Sequence, residues 1–241
     1  MTLYKTLEKI IGNYFFSRVN AENAEELKKI PKEGPVIVAS THPKWWDAAI
    51  LYMCISKIVG RKAKFLTSKN VSNFSECYKA TTKHIKKNGN ALIKALTPFL
   101  ATIPAILIPY MVKGAGPLFV SKYRKGGCSK EAIYEAKEHL KNGGIVCFYV
   151  QGGTRKEEEG IGHLKNGAAY VAYTLHDEER IDVPVYPVLV KGVGKGVVPH
   201  KSRIRIKVGD FLFVKDYLAG ENRKETLERF TEEIKARMMS L

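Results

Sequence analysis

The sequence predicts an α/β protein with a mixed, largely parallel central sheet flanked by helices. Two observations carry that reading. Short apolar runs, fenced by Gly and Pro, alternate along the chain with segments of helical periodicity. The composition, 45% hydrophobic and 27% charged over 241 residues, belongs to a folded chain with a substantial core in one domain.

The elements follow in order. Leu3, Leu7, Ile10, Ile11, Tyr14, Phe15 and Val19 fall at helical spacing, with Lys5, Glu8, Lys9 and Asn13 mostly opposite. That amphipathic helix either packs on the domain or lies apolar side down on a membrane. Glu33-Gly34-Pro35 is turn punctuation before Val36–Ala39, a buried strand. Residues 48–59 read as a helix and residues 63–67 as a second strand. Residues 91–112 are long and apolar enough to span a bilayer, but Lys94 lies inside them and Pro98, Pro104 and Pro109 interrupt them. The expectation is a broken helical hairpin rather than a regular span. It would pack in the core, cover an acyl groove or dip into one leaflet.

Residues 118–121 form a short strand. Residues 129–140 form a helix with Ser129 as N-cap, closed by Asn142-Gly143-Gly144. Residues 145–150 make a central strand and 166–175 a helix. Strands at 183–190 and 204–208 follow, then a closing helix over 221–239 with Leu227, Phe230, Ile234 and Met238 along one side.

Forty basic residues against 24 acidic ones leave a formal charge of +16, which favours an anionic partner: nucleic acid, a membrane leaflet or a phosphorylated substrate. Cys54, Cys77, Cys128 and Cys147 form no CxxC pair, and a reducing compartment fits them. Cys54 and Cys147 lie in apolar stretches and read as core residues. The six histidines form no HExxH or HxxxH cluster, so no metal site is expected. Asn73-Phe74-Ser75 matches a glycosylation acceptor by chance, as no secretory leader is expected ahead of it.

Four blocks carry chemistry. The first is His42-x4-Asp47, just after the Val36–Ala39 strand, with Trp45 and Trp46 inside it suited to a wet–dry boundary or to packing the site wall. An imidazole there can take a proton from a hydroxyl, and the carboxylate can fix its tautomer. The second block runs from Gly116 to Arg124. The third is Gly152-Gly153-Thr154-Arg155, followed by Lys165-Asn166-Gly167-Ala168. The fourth is Val183-Pro184-Val185-Tyr186-Pro187-Val188, whose prolines read as shaping residues. The first three follow or lie on short strands, and functional loops gather at the carboxyl edge of an α/β sheet.

In this order the blocks resemble the glycerolipid acyltransferase family, which includes lysophosphatidic acid and glycerol-3-phosphate acyltransferases, over roughly residues 34–190. The resemblance implies the glycerol-3-phosphate acyltransferase-like version of the fold and a place in phospholipid biosynthesis. One acyltransferase domain would fill residues 1–241: a membrane-facing amphipathic helix region over 1–30, a catalytic core over 34–215 and a C-terminal helix over 221–241. His42 would be the general base and Asp47 would orient it. Lys122, Arg124, Gly152, Gly153, Thr154 and Arg155 would bind substrate, with the cations on a phosphate and the glycines allowing close backbone approach. The donor would be acyl-CoA or acyl-carrier protein, with no cofactor. The acceptor would be a phosphorylated lipid such as lysophosphatidic acid, met at an anionic membrane surface on the cytoplasmic side by a peripheral or monotopic protein.

Two positions depart from the family pattern. Gly152 stands where the family has Glu, and Lys122 where it has Arg, which keeps charge but loses forked geometry. Arg124 and Glu157–Glu159 are the nearest residues in sequence able to compensate. Two other classes stay in view. An acyl-thioester hydrolase would use the same His–Asp pair on water, although no Gly-x-Ser-x-Gly elbow is present. A non-enzymatic basic module would bind lipid or nucleic acid, but the cations are spread along the chain with no zinc, RNP or helix-turn-helix pattern, so nucleic acid is not expected.

Overall fold

A computed structural model describes residues 25–42, 47–88, 90–120, 130–151, 160–192, 204–220 and 222–241, together with Thr6, Lys9, Ile10, Asn13 and Ser17. Thr6, Lys9, Ile10 and Asn13 are helical. The rest of the expected N-terminal amphipathic helix lies outside the described residues.

The chain is α/β, with a six-stranded, mostly parallel sheet in the order β3-β2-β4-β1-β5-β6. The strands are β1 (Val36–Ser40), β2 (Ala63–Ser68), β3 (Leu118–Val120), β4 (Ile145–Tyr149), β5 (Val185–Lys191) and β6 (Arg205–Val208). Only β6 runs antiparallel, against β5. The helices are α1 (Asp47–Cys54), α2 (Phe74–Asn88), α3 (Ala91–Ala95), α4 (Thr97–Ala115), α5 (Lys130–Lys141), α6 (Gly167–Glu179) and α7 (Arg223–Met239).

Strand β1 lies between β4 and β5 and is buried along its whole length, which is why it reads as an unbroken apolar run. Alternate residues face two cores. Val36 and Val38 join Ile50, Leu51 and Ile55 of the α1 side, whereas Ile37 and Ala39 join Leu140 of α5, Leu175 of α6 and Phe230 of α7. Phe230, fully buried, anchors α7 with Leu227, Ile234 and Met238, the side expected from the sequence. Strand β1 leads to α1 on one sheet face and β4 leads towards α6 on the other. Adjacent carboxyl ends whose connections part to opposite faces open a crevice at the edge of such a sheet.

Helix α4 differs from expectation. It runs unbroken through Pro104 and Pro109, with Pro98 in its first turn, where a missing N–H costs nothing. Each inner proline removes one backbone bond, to Leu100 O and Ala105 O. The helix continues because Thr97, Ala101, Ala105 and Pro109 are buried at i, i+4 spacing and α4 packs along α2. The expected hairpin is therefore a pair formed by α2 with α4, not a fold within 91–112.

Two other sequence features find structural roles. Asn73 Oδ1 accepts from the N–H groups of Ser75 and Glu76 at 2.8 and 3.4 Å, so the glycosylation-like triplet is the cap of α2. Pro187 lies between the Val185–Leu212 bridge and the β6 ladder, where only its carbonyl is used, by the Gly209 N–H at 2.9 Å.

Candidate active site

Strand β1 ends at Ser40, and its hydrogen bonds continue past the last ladder pair. Thr41 N–H donates to Val188 O at 3.2 Å, and Val190 N–H donates to Thr41 Oγ1 at 3.0 Å. The next residue, His42, is thereby carried to the carboxyl edge on a tethered backbone. Its own N–H donates to Gln151 Oε1 at 2.9 Å, and Gln151 Nε2 donates to Ile161 O at 3.0 Å. One amide side chain thus ties the loop after β1 to the segments that follow β4.

The His42 ring is held from two further sides. Its Nδ1 lies 2.7 Å from Asp47 Oδ1. Asp47 is the first residue of α1 and fully buried, while the His42 side chain is 19% exposed. The N-terminal end of a helix favours a carboxylate. An ionised carboxylate only accepts, so the contact assigns the Nδ1 proton to His42 and leaves Nε2 as the basic atom. The third restraint is Tyr149, the last residue of β4, whose ring stacks on the imidazole with centroids 4.1 Å apart. The register pairs Ser40 with Tyr149, which places the tyrosine beside the root of the His42 loop.

Tyr149 sits at the end of an aromatic row, 5.8 Å from Phe65, which is in turn 6.1 Å from Tyr52. Its hydroxyl is buried and has no hydrogen-bond partner among the described residues. Burial first, and then the charge of Asp47, push its pKa well above the ordinary tyrosine value, so the group stays a neutral phenol.

No described thiol competes with His42. Burial pushes the Cys54 thiol up to about 12 and that of Cys147 well above its ordinary value, which suppresses the thiolate a nucleophile requires. Cys77 is shifted upward as well, by burial and by Glu76. No group of three or more His, Cys, Asp or Glu side chains suited to a metal occurs among the described residues.

The structure brings His42 and Asp47 together. Lys122, Arg124, Gly152, Gly153, Thr154 and Arg155 lie outside the described residues, as do Trp45, Trp46 and Glu157–Glu159. The strands that precede the two basic blocks, β3 and β4, end on the edge that carries His42. Sequence reasoning missed Tyr149 and Gln151. The signal available was position: both stand at the end of a central strand, immediately before the Gly-Gly-Thr-Arg block. A second His–Asp contact, His176 Nδ1 to Asp182 Oδ1 at 2.8 Å, joins the last turn of α6 to the segment after it, with Lys215 Nζ on Asp182 Oδ2 at 2.7 Å.

Compared with known proteins, the chain matches no family model and no curated sequence.

Proposed function

We propose that the protein is an acyltransferase that moves a fatty acyl group from a thioester, acyl-CoA or acyl-carrier protein, to the hydroxyl of a phosphorylated glycerolipid such as lysophosphatidic acid. The observation that carries this reading is the 2.7 Å contact between His42 Nδ1 and the buried Asp47 at the carboxyl edge of the sheet. The glycerol-3-phosphate acyltransferase-like version of the fold, and peripheral or monotopic attachment at the cytoplasmic side of a membrane, belong to the same reading.

The chemistry is direct transfer. His42 Nε2 removes the acceptor's hydroxyl proton as the oxygen attacks the thioester carbonyl carbon. Asp47 stabilises the imidazolium that forms. The tetrahedral intermediate collapses, the C–S bond breaks, and the departing sulfur takes the proton back from Nε2. Ester and free thiol leave, and the enzyme returns to its starting state. A thioester is already activated, so a positioned base and a held acceptor are sufficient, without a metal. Arg155, Lys122 and Arg124 would bind the acceptor phosphate, and Gly152, Gly153 and Thr154 would contribute to substrate binding.

The test is a panel of acyl-CoA and acyl-carrier-protein donors against lysophosphatidic acid, other lysophospholipids and glycerol 3-phosphate, read by thiol release and product mass. Acceptor-dependent thiol release with an esterified product supports the reading. Thiol release independent of any acceptor assigns the site to thioester hydrolysis instead. No turnover with any pair overturns both.

A further inference from the structure

Helices α3 and α4 present an exposed apolar stripe. Leu92, Leu96, Phe99, Ile103, Ile106 and Tyr110 follow one another at intervals of four and three, and all are exposed, Phe99 by 76% and Ile103 by 61%. The opposite side of α4 is the one buried through Thr97, Ala101, Ala105 and Pro109. A core helix would bury its large residues and expose its small ones; α4 does the reverse. Its length, 19 residues, and its apolar composition would suit a membrane span, and only 17% of its most apolar window is buried in the protein, unlike a core helix.

Three features decide between spanning and lying flat. Helix α2 packs along α4, and it carries Lys79, Lys83, Lys86 and Lys87 on its exposed positions. That helix cannot follow α4 into hydrocarbon. Pro104 leaves the carbonyl of Leu100, a residue 40% exposed, without its helical donor, which is tolerable beside water and costly in the bilayer core. Finally, α4 returns within two residues to β3 of the central sheet, and α3 begins within three residues of the end of α2. Both ends of the helix stay with the domain.

Charge selects the occupant. Residues 74–115 hold six lysines, Lys79, Lys83, Lys86, Lys87, Lys94 and Lys113, and one acid, Glu76. A second copy docking stripe to stripe would bring two such cationic borders together. An anionic lipid surface satisfies the stripe and its border at once. We propose that α3–α4 is an interfacial seat: the stripe from Leu92 to Tyr110 enters the acyl boundary of an anionic membrane, and the α2 and α4 lysines hold the headgroup phosphates. At the other end of α4, Met111 and Ala115 pack on the same core cluster that Tyr149 joins. The inference rests on the reading of the protein as one that works on lipid, but its test requires no turnover, so the two can fail separately.

The experiment is co-sedimentation of the full chain, without substrate, with phosphatidylcholine vesicles containing about one third phosphatidylglycerol, at low and high salt. The triple variant F99Q/I103Q/I106Q is compared, together with K83Q/K86Q/K87Q. Circular dichroism and Tm verify folding, and analytical ultracentrifugation gives the oligomeric state. The expected result is salt-sensitive binding by the native chain. Partitioning should fall about tenfold or more in the apolar variant, whose exposed positions leave the fold intact, and the lysine variant should lose most of its salt dependence. Equal binding by the apolar variant overturns the proposal. So does absence of binding by the native chain, and so does a native dimer that the apolar variant dissociates, which would assign the stripe to a second copy.

Discussion

Tyr149 lies flat against His42, with ring centroids 4.1 Å apart and planes inclined by 21°. The stack closes the one direction of ring motion that the Asp47 contact leaves free. A single hydrogen bond at Nδ1 lets an imidazole swing about that bond; a ring pressed on its face does not. The tyrosine contributes its ring to this arrangement, because its buried hydroxyl meets no partner among the described residues.

The two parts of Tyr149 are therefore separable. Tyr149→Phe keeps the stack and removes a buried polar group, so kcat for the proposed acyl transfer should stay within about twofold and Tm should hold or rise. Tyr149→Ala removes the stack, and kcat should fall about tenfold to a hundredfold through misplacement of the base. Steady-state kinetics with Tm as the control checks both. Loss of activity in the Phe variant would show that the hydroxyl has a role in the reaction.

The two His–Asp contacts have nearly equal lengths and different settings. Asp47 is fully buried, and His42 carries the stack and the Gln151 tether. Asp182 is 31% exposed, is shared with Lys215, and has its pKa lowered, first by that lysine's hydrogen bond. A carboxylate committed to a lysine in water orients nothing strongly. His42→Ala should therefore lower kcat about a thousandfold, and Asp47→Asn about a hundredfold or more, while His176→Ala leaves it within about twofold. Parallel assays of the three variants test whether setting, rather than the His–Asp distance, makes the site.

Gln151 bridges two segments through one amide. Replacing it with Leu leaves the His42 N–H and the Ile161 carbonyl without their partner, a loss on the order of 1–3 kcal/mol if both remain shielded. Chemical denaturation should register that loss. kcat should fall more than KM changes, because the tether holds the backbone of the proposed base. Gln151→Glu cannot donate to Ile161 O when ionised and should rescue only the His42 half.

How far these features are legible in the sequence follows from their range. His42 and Asp47 stand five residues apart across a strand–loop–helix step, so local pattern is enough to bring them together. Val36–Ala39 reads as buried because both faces are covered. Tyr149 and Gln151 reach His42 through the β1–β4 register, a pairing across more than a hundred residues that no local period encodes. An aromatic residue ending an apolar strand reads as core, which Tyr149 also is. Pro104 and Pro109 mislead for a related reason: the local rule predicts a break, and packing on α2 overrides it. The apolar content of 91–112 was plain, but which side of it would face outward depended on the position of α2.

His139 ties stability to pH. It lies at the end of α5, its ring packed against the Gly144 backbone, where a Cβ would run into it, and its Nε2 is buried with no partner among the described residues. Burial, then the charges of Lys64 and Arg61, hold its pKa below the ordinary 6.5. A depressed histidine stays neutral in the folded chain while the unfolded chain takes up a proton. The stability it contributes is therefore complete above about pH 6.5 and is lost as pH falls from there through the folded value. The carboxylates of Glu26 and Asp182 also have lowered pKa values. For Glu26, burial pushes the other way but is outweighed by Lys207 and the Val208 N–H. Both act from the ordinary carboxylate value downward, outside the interval from pH 8 to pH 5. Tm measured between pH 8 and pH 5 should drop across this interval in the native chain, and the drop should flatten in His139→Gln. Gly144→Ala, which displaces the ring from its buried site, should lower Tm at pH 8 and flatten the same slope. A slope unchanged in both variants would assign the pH dependence to another histidine.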